Sequence, residues 1–294
     1  MNICPLVERD ETSMRKLSPT FLNCLKSGFL SAITEYVRRD HDLNLEIRDN
    51  YINLYYKGNS LLKLTEAGSR LYYKAEIHKK FLEGITMPLE FTKSSLPEFM
   101  KVIPLLKENI GRYGQRSLEL EYEQMLIRAN NFEPRNNTEY FVVDRQYSVK
   151  EGRFDLTGIH WGRGGRQKNR KASVCLMEIK FALNSDIQLV HEQLARYYEP
   201  IRNNAAQIAE EMEGIFMQKL ALKLYDQPSE RLNAMKTLTF SRDIHDFQFI
   251  LVLVDFNQNS RLLALEKIKK LPFADQVRIF YSGFGMWEQN VGKL

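Results

Sequence analysis

Between Gly152 and Tyr198 the chain reads as two apolar runs joined by a basic tip and followed by a helix, and no other stretch constrains the fold as much. The first run, G-R-F-D-L-T-G-I-H-W, carries Asp155. The second, A-S-V-C-L-M-E-I-K-F, carries Glu178 and Lys180, and the helix V-H-E-Q-L-A-R-Y-Y carries Gln193 and Tyr197 one turn apart. Residues two apart on a strand point to the same face, so Glu178 and Lys180 share a face and Ile179 takes the other. Asp155 lies near the start of its strand, and the Glu178–Lys180 pair lies near the end of the next. An antiparallel hairpin would therefore put all three at one end. Two carboxylates brought together repel and are costly to bury unless a cation joins them. A few hard oxygen ligands suit Mg²⁺, which keeps several waters and takes one or two carboxylates plus phosphate oxygens of a substrate. A lysine beside that ion can orient or deprotonate an attacking water and offset charge at the phosphate.

Periodicity places other elements around this stretch. A helix opens at Ser117, with Leu118, Tyr122, Met125, Leu126 and Ala129 on its apolar face. Strands are expected over 140–147, from the turn at 150–152 through Asp155 to about Trp161, and over 172–181, the last apolar on both faces and so central. A helix over 185–198 follows, ended or kinked by Pro200, and a second helical stretch covers 201–224. A strand over 249–256, a helix over 261–270 and a strand over 276–281 complete the order, with Trp287 left to packing in the tail. The N-terminal third reads differently. One helix from Pro19 to about Arg39 is followed by short alternating strands over 43–47, 51–56, 61–64 and 71–77. A loop over 87–95 and a helix over 97–110 precede Gly111 and Gly114, which mark a boundary.

Taken together, Gly152-x-x-Asp155, Glu178-x-Lys180 and Gln193-x-x-x-Tyr197, on strand, strand and helix, resemble the PD-(D/E)xK nuclease superfamily, in its RecB-like and lambda-exonuclease-like branch. The resemblance covers roughly residues 112 to 285 and leaves the N-terminal third unexplained. It implies an α/β fold with a restriction-endonuclease-like core (α-β-β-β-α-β, a mixed sheet flanked by helices) over residues 112–294, beside an N-terminal α+β accessory domain over 1–111. It implies Mg²⁺-dependent hydrolysis of phosphodiester bonds, with Mn²⁺ as a substitute and DNA as the substrate, in restriction, repair or defence. Endo- and exonucleolytic cutting stay open. Carried over residue by residue, Asp155 and Glu178 hold the metal with the Ile179 backbone carbonyl. A carboxylate from the first helix joins them, with Glu119 the first choice and Glu123 the second. Lys180 positions the water, and Gln193 and Tyr197 organise the site and its DNA strand. The alternative is a catalytically silent nucleic-acid-binding or protein-interaction module on the same fold.

Arg163, Arg166, Lys168, Arg170 and Lys171 crowd the tip between the two strands, with no acid among them. Trp161 is roughly 20 Å from Asp155 at ~3.3 Å per residue. The tip is thus either a grip on a phosphate backbone further along a duplex or a solvated loop. Tyr51, Tyr55, Tyr56, Tyr72 and Tyr73 stand beside Lys57, Lys63, Arg70 and Lys74 in the N-terminal strands. Such residues either stack bases and hold phosphates or fill half-buried sheet positions and guard an edge. The same unit is a candidate surface for a protein partner. A net charge of +5 permits a nucleic-acid partner without arguing for one. Cys4, Cys24 and Cys175 have no metal-ligand spacing and cannot supply four ligands to an iron–sulfur cluster, so none is expected. No apolar run reaches ~18 residues, and M-N-I-C-P-L-V-E-R-D-E carries charges where a signal peptide needs an apolar core. A reduced cytoplasmic protein with no membrane contact is expected. No Walker-type loop, G-x-S-x-G elbow or zinc-type His/Cys cluster is present, and the metal scheme needs neither His160 nor His191.

Overall fold

The computed structural model describes residues 15–68, 72–149, 152–163, 170–181 and 184–285. Its first unit runs α1 (Pro19–Lys26), α2 (Ser31–Arg39), β1 (Leu43–Ile47), β2 (Tyr51–Tyr56), β3 (Asn59–Glu66), β4 (Tyr73–Glu76), β5 (Glu90–Phe91) and α3 (Leu96–Tyr113). The strands form one antiparallel sheet in chain order. Ser18 opens α1, its hydroxyl accepting the Phe21 N–H at 3.0 Å, with Pro19 in the first turn. The single helix expected to Arg39 is broken at Gly28, where the chain folds against the preceding turn. A Cβ there would stand 2.8 Å from the Cys24 Cα. Tyr73 is buried on Phe21 and Phe29, with ring centroids 4.7 and 5.8 Å away. It is a core residue, not a surface for bases. The expected boundary at 111–112 falls within the last turn of α3.

The second unit runs α4 (Leu118–Ile127), β6 (Tyr140–Val149), β7 (Gly152–His160), β8 (Lys171–Phe181), α5 (Val190–Asn203), α6 (Ala205–Ala221), α7 (Ser229–Met235), β9 (Thr239–Phe240), β10 (Gln248–Val254), α8 (Leu265–Ile268) and β11 (Val277–Ser282). Its sheet is ordered β11-β10-β8-β7-β6, with the short β9 beside the start of β8. β6, β7 and β8 form an antiparallel meander, and β8, β10 and β11 are parallel. The protein is therefore a mixed α/β structure with one antiparallel and one mixed sheet. In β8, residues 174 to 179 are all buried, and β10 is buried throughout, as runs apolar on both faces require.

Two local expectations give way to tertiary contacts. Pro200 sits inside α5, which continues to Asn203, and the break falls at Asn204. On α4, Leu118 and Met125 are exposed, while Glu123 and Ile127 are buried. The cause is Arg145 of β6, which is fully buried and donates from Nε (3.0 Å) and Nη2 (2.6 Å) to Glu123 Oε2. That pair turns an acidic position inward and rolls the apolar residues of α4 outward. The stretch between Leu224 and Phe249, to which the sequence assigns no element, folds into α7 and β9.

The two sheets meet through charge as well as apolar packing. All five residues of β1 are buried, because its second face lies against the other unit. There Lys219 of α6 donates to Glu46 at 2.8 Å, Arg48 pairs with Asp144 of β6 at 2.5 Å, and Arg15 pairs with the same carboxylate. Tyr55 lies under Arg145, 4.6 Å from ring centroid to guanidinium carbon. Among the described residues, no helix is long and apolar enough to cross a membrane.

Candidate active site

The β7–β8 register pairs Leu156 with Met177, so the next row sets Asp155 opposite Glu178. Asp155 Oδ2 accepts the Ile179 N–H at 2.7 Å. Glu178 is 5% exposed, and its Oε1 accepts Lys180 Nζ at 2.6 Å and Gln193 Nε2 at 2.7 Å. Its other oxygen, Oε2, is buried and has no hydrogen-bond partner among the described residues. Gln193 Nε2 also donates to the Tyr197 hydroxyl at 3.2 Å. Tyr197 is buried, edge-on to Phe154 with centroids 5.0 Å apart. Strand alternation and the helical turn thus deliver Asp155, Glu178, Lys180, Gln193 and Tyr197 to one place.

Gly152 belongs to the same arrangement. A Cβ there would lie 2.3 Å from both the Tyr197 hydroxyl oxygen and its Cε1. Gly152→Ala is expected to displace Tyr197 and, through it, Gln193, costing about 1–3 kcal/mol by overpacking. Thermal unfolding together with Mn²⁺ titration checks this, and an alanine variant matching wild type in both would show that the contact relaxes freely.

The electrostatics are those of a site with surplus negative charge. Burial, then Glu178 and Glu123, raise the Asp155 carboxyl well above the usual carboxylate range, against the Ile179 N–H and Lys180. Burial alone would lower the Lys180 ammonium, but Glu178, Asp155 and Glu119 outweigh it and the net shift is upward. In the metal-free site Lys180 is thus a charged donor to Glu178. Buried carboxylates crowded around one lysine are relieved by a further cation.

The other expected residues are less closely gathered. Glu119 is near enough to influence Lys180, yet among the described residues no three His, Cys, Asp or Glu side chains form a metal-binding group. Glu123 is committed to Arg145. From Ile179 the contact seen is the N–H, donated to Asp155. At the far end of the hairpin, Lys171 is tied to Asp246 at 2.8 Å and the Arg170 carbonyl accepts the Thr239 N–H at 2.8 Å. Arg163 is exposed and its N–H donates to Glu139. Arg166 and Lys168, like Trp287, lie outside the described residues. His160 stacks on Tyr140 and contacts Gln248 at 3.1 Å, also at the far end. The residue that the motif reading misses is Arg145. Its signal is D-R-Q inside the otherwise apolar run Y-F-V-V-D-R-Q-Y, since a charge that is buried with an apolar strand needs a partner.

No protein-family model, curated protein or solved structure matches this chain.

Proposed function

We propose that the protein is a divalent-metal-dependent nuclease that hydrolyses phosphodiester bonds, with DNA as its substrate. The observation that carries this reading is Glu178 Oε2, buried and unpartnered in the row opposite Asp155. An orphaned, buried carboxylate oxygen costs free energy unless something completes it. A cation does so with the least rearrangement, because Oε1 is already held by Lys180 and Gln193. The order helix, three antiparallel strands, helices, parallel strand and final strand over 118–282 agrees with a restriction-endonuclease-like core.

Asp155 and Glu178, with the Ile179 carbonyl, would hold Mg²⁺. When bound, the ion supplies charge stabilisation at the phosphoryl group and a more acidic water. The remaining work falls to the chain. Lys180, protonated and 12% exposed on its side chain, donates toward the attacking water or a phosphate oxygen. Gln193 fixes the Glu178 carboxylate so that Oε2 stays free, and Tyr197 and Gly152 fix Gln193. Gln193→Ala is expected to lower Mn²⁺ affinity about 10–100-fold, the usual effect of losing a group that orients a ligand; an unchanged calorimetric isotherm would remove Gln193 from the site.

The direct test is incubation of the full chain with supercoiled, linear, nicked and single-stranded DNA in Mg²⁺, Mn²⁺ or EDTA, with RNA in parallel. Cleavage in either metal and none in EDTA is the expected pattern. Tight binding of DNA without cleavage in any metal would instead favour a silent binding module.

A further inference from the structure

Asp255 follows β10, two residues past Leu253, which pairs with Lys180 on one side and with Tyr281 on the other. Its φ is +49°, in the left-handed region that costs a non-glycine residue free energy. Its carboxylate is used in full. Oδ2 accepts the Tyr122 hydroxyl at 2.9 Å, and Oδ1 accepts the N–H of Phe284 at 2.6 Å and of Gly285 at 2.7 Å. The Asp255 N–H in turn donates to the Ser282 carbonyl at 2.8 Å. Gly283 has φ +121°, and a Cβ on it would lie 2.3 Å from Asp255 Oδ1. One strained residue, one glycine and four hydrogen bonds thus latch the chain at Phe284.

The backbone is held there, and the side chain it carries is 74% exposed and belongs to neither buried apolar cluster. The core therefore does not account for it. Single exposed apolar residues are common, but they are rarely fixed by a strained carboxylate hub. The latch is closed by Tyr122 of α4, whose ring lies 5.5 Å from that of Phe181, the residue after Lys180. Leu118 and Met125, on the preceding and following turns of α4, are also exposed. Lys180 pairs with Leu253 and Leu253 with Tyr281, so Phe284, three residues past Tyr281, lies at the same end of the sheet as the candidate site.

We propose that Phe284 is a base-stacking platform for single-stranded nucleic acid, so that the substrate is a single strand or a frayed duplex end rather than the interior of an intact duplex. This rests on the nuclease reading above. Bases inside a duplex have both faces covered by their neighbours, and an exposed phenyl ring can stack only on a base whose face is free. Every base has such a face and phenylalanine has no polar group, so the contact is tolerant of sequence.

The test uses oligonucleotides carrying 2-aminopurine near one end, single-stranded or as a blunt duplex, titrated in EDTA into wild type, Phe284→Ala and Phe284→Trp. Wild type is expected to quench the probe and to bind the single strand more tightly than the duplex. Phe284→Ala should lose roughly tenfold in single-strand affinity, the size of one stacked base, with duplex binding unchanged and Phe284→Trp restoring the quench. An alanine variant that binds the single strand like wild type, or loses equally on both substrates, overturns the platform, as does a wild type that binds neither. Mg²⁺-dependent cleavage by wild type is measured alongside. Quenching without cleavage sinks the nuclease reading alone, and cleavage indifferent to Phe284→Ala sinks the platform alone.

Discussion

Asp155→Asn should lose at least ~10³-fold in metal-dependent cleavage and, in EDTA, melt at a higher temperature than wild type. Both effects have one cause. The substitution keeps the shape of the side chain and removes its charge. On the nuclease reading, that charge would contribute several kcal/mol of stabilisation through the ion, and each ~1.4 kcal/mol is a factor of ten in rate. Without metal, the same charge is a liability. Burial, Glu178 and Glu123 raise the folded-state pKa of Asp155 well above its unfolded value. A raised acid contributes stability that is fully present below the unfolded pKa, near ~3.9, and is lost as pH rises through the folded value. Metal-free wild type should therefore lose stability as pH rises through the Asp155 titration, while the asparagine variant should show no such step. Each ~1 kcal/mol relieved would raise Tm by about 2–4 °C, and added Mn²⁺ should stabilise wild type but not the variant. Scanning calorimetry with and without Mn²⁺, beside a plasmid-nicking assay, checks both arms. A variant that cleaves like wild type removes Asp155 from the chemistry. One that melts lower in EDTA shows that its carboxylate is satisfied without a cation.

Asp144→Ala should destabilise the fold by about 3–5 kcal/mol, the cost of leaving buried charges without their partner. Asp144 is fully buried and pairs with Arg15 and Arg48, and its Oδ1 also accepts the Arg145 N–H at 2.8 Å. Arg48 cannot shed its proton in response, because a guanidinium stays protonated in proteins. The pH dependence has a definite sign. Burial raises the Asp144 carboxyl, but Arg15, Arg48 and Lys219 outweigh it and hold the pKa well below the usual range. Its contribution is thus present above the unfolded pKa and lost as pH falls below ~4. Glu46 has the opposite sign, since its burial outweighs Lys219 and raises it. Acid unfolding that begins below pH ~4 in wild type should therefore be blunted in Asp144→Asn, which has already lost the term at neutral pH. Urea midpoints between pH 3 and pH 7 measure this, and equal midpoints for both proteins at neutral pH would show that the cluster is only geometric.

Backbone geometry over a few residues is legible in the sequence. A two-residue period puts Glu178 and Lys180 on one face, and their salt bridge follows at 2.6 Å. A 3.6-residue period puts Gln193 and Tyr197 on one side of α5, where they share a hydrogen bond. Apolar runs of strand length locate β7, β8 and β10 to within a residue or two. Only the tertiary structure decided which charges are buried. The apolar stripe of α4 favours Leu118 and Met125 inside, yet Glu123 goes in because Arg145, distant in sequence, is there to meet it. Pro200 remains inside α5, Tyr73 becomes core, and Lys171 of the basic tip is paired with Asp246. Gly152 acquires its meaning only when the Tyr197 ring arrives above it. The physical reason is the same in each case: alternation is a local property of the backbone, whereas the cost of burying a charge, or of crowding a glycine, depends on a partner that the fold alone brings within reach.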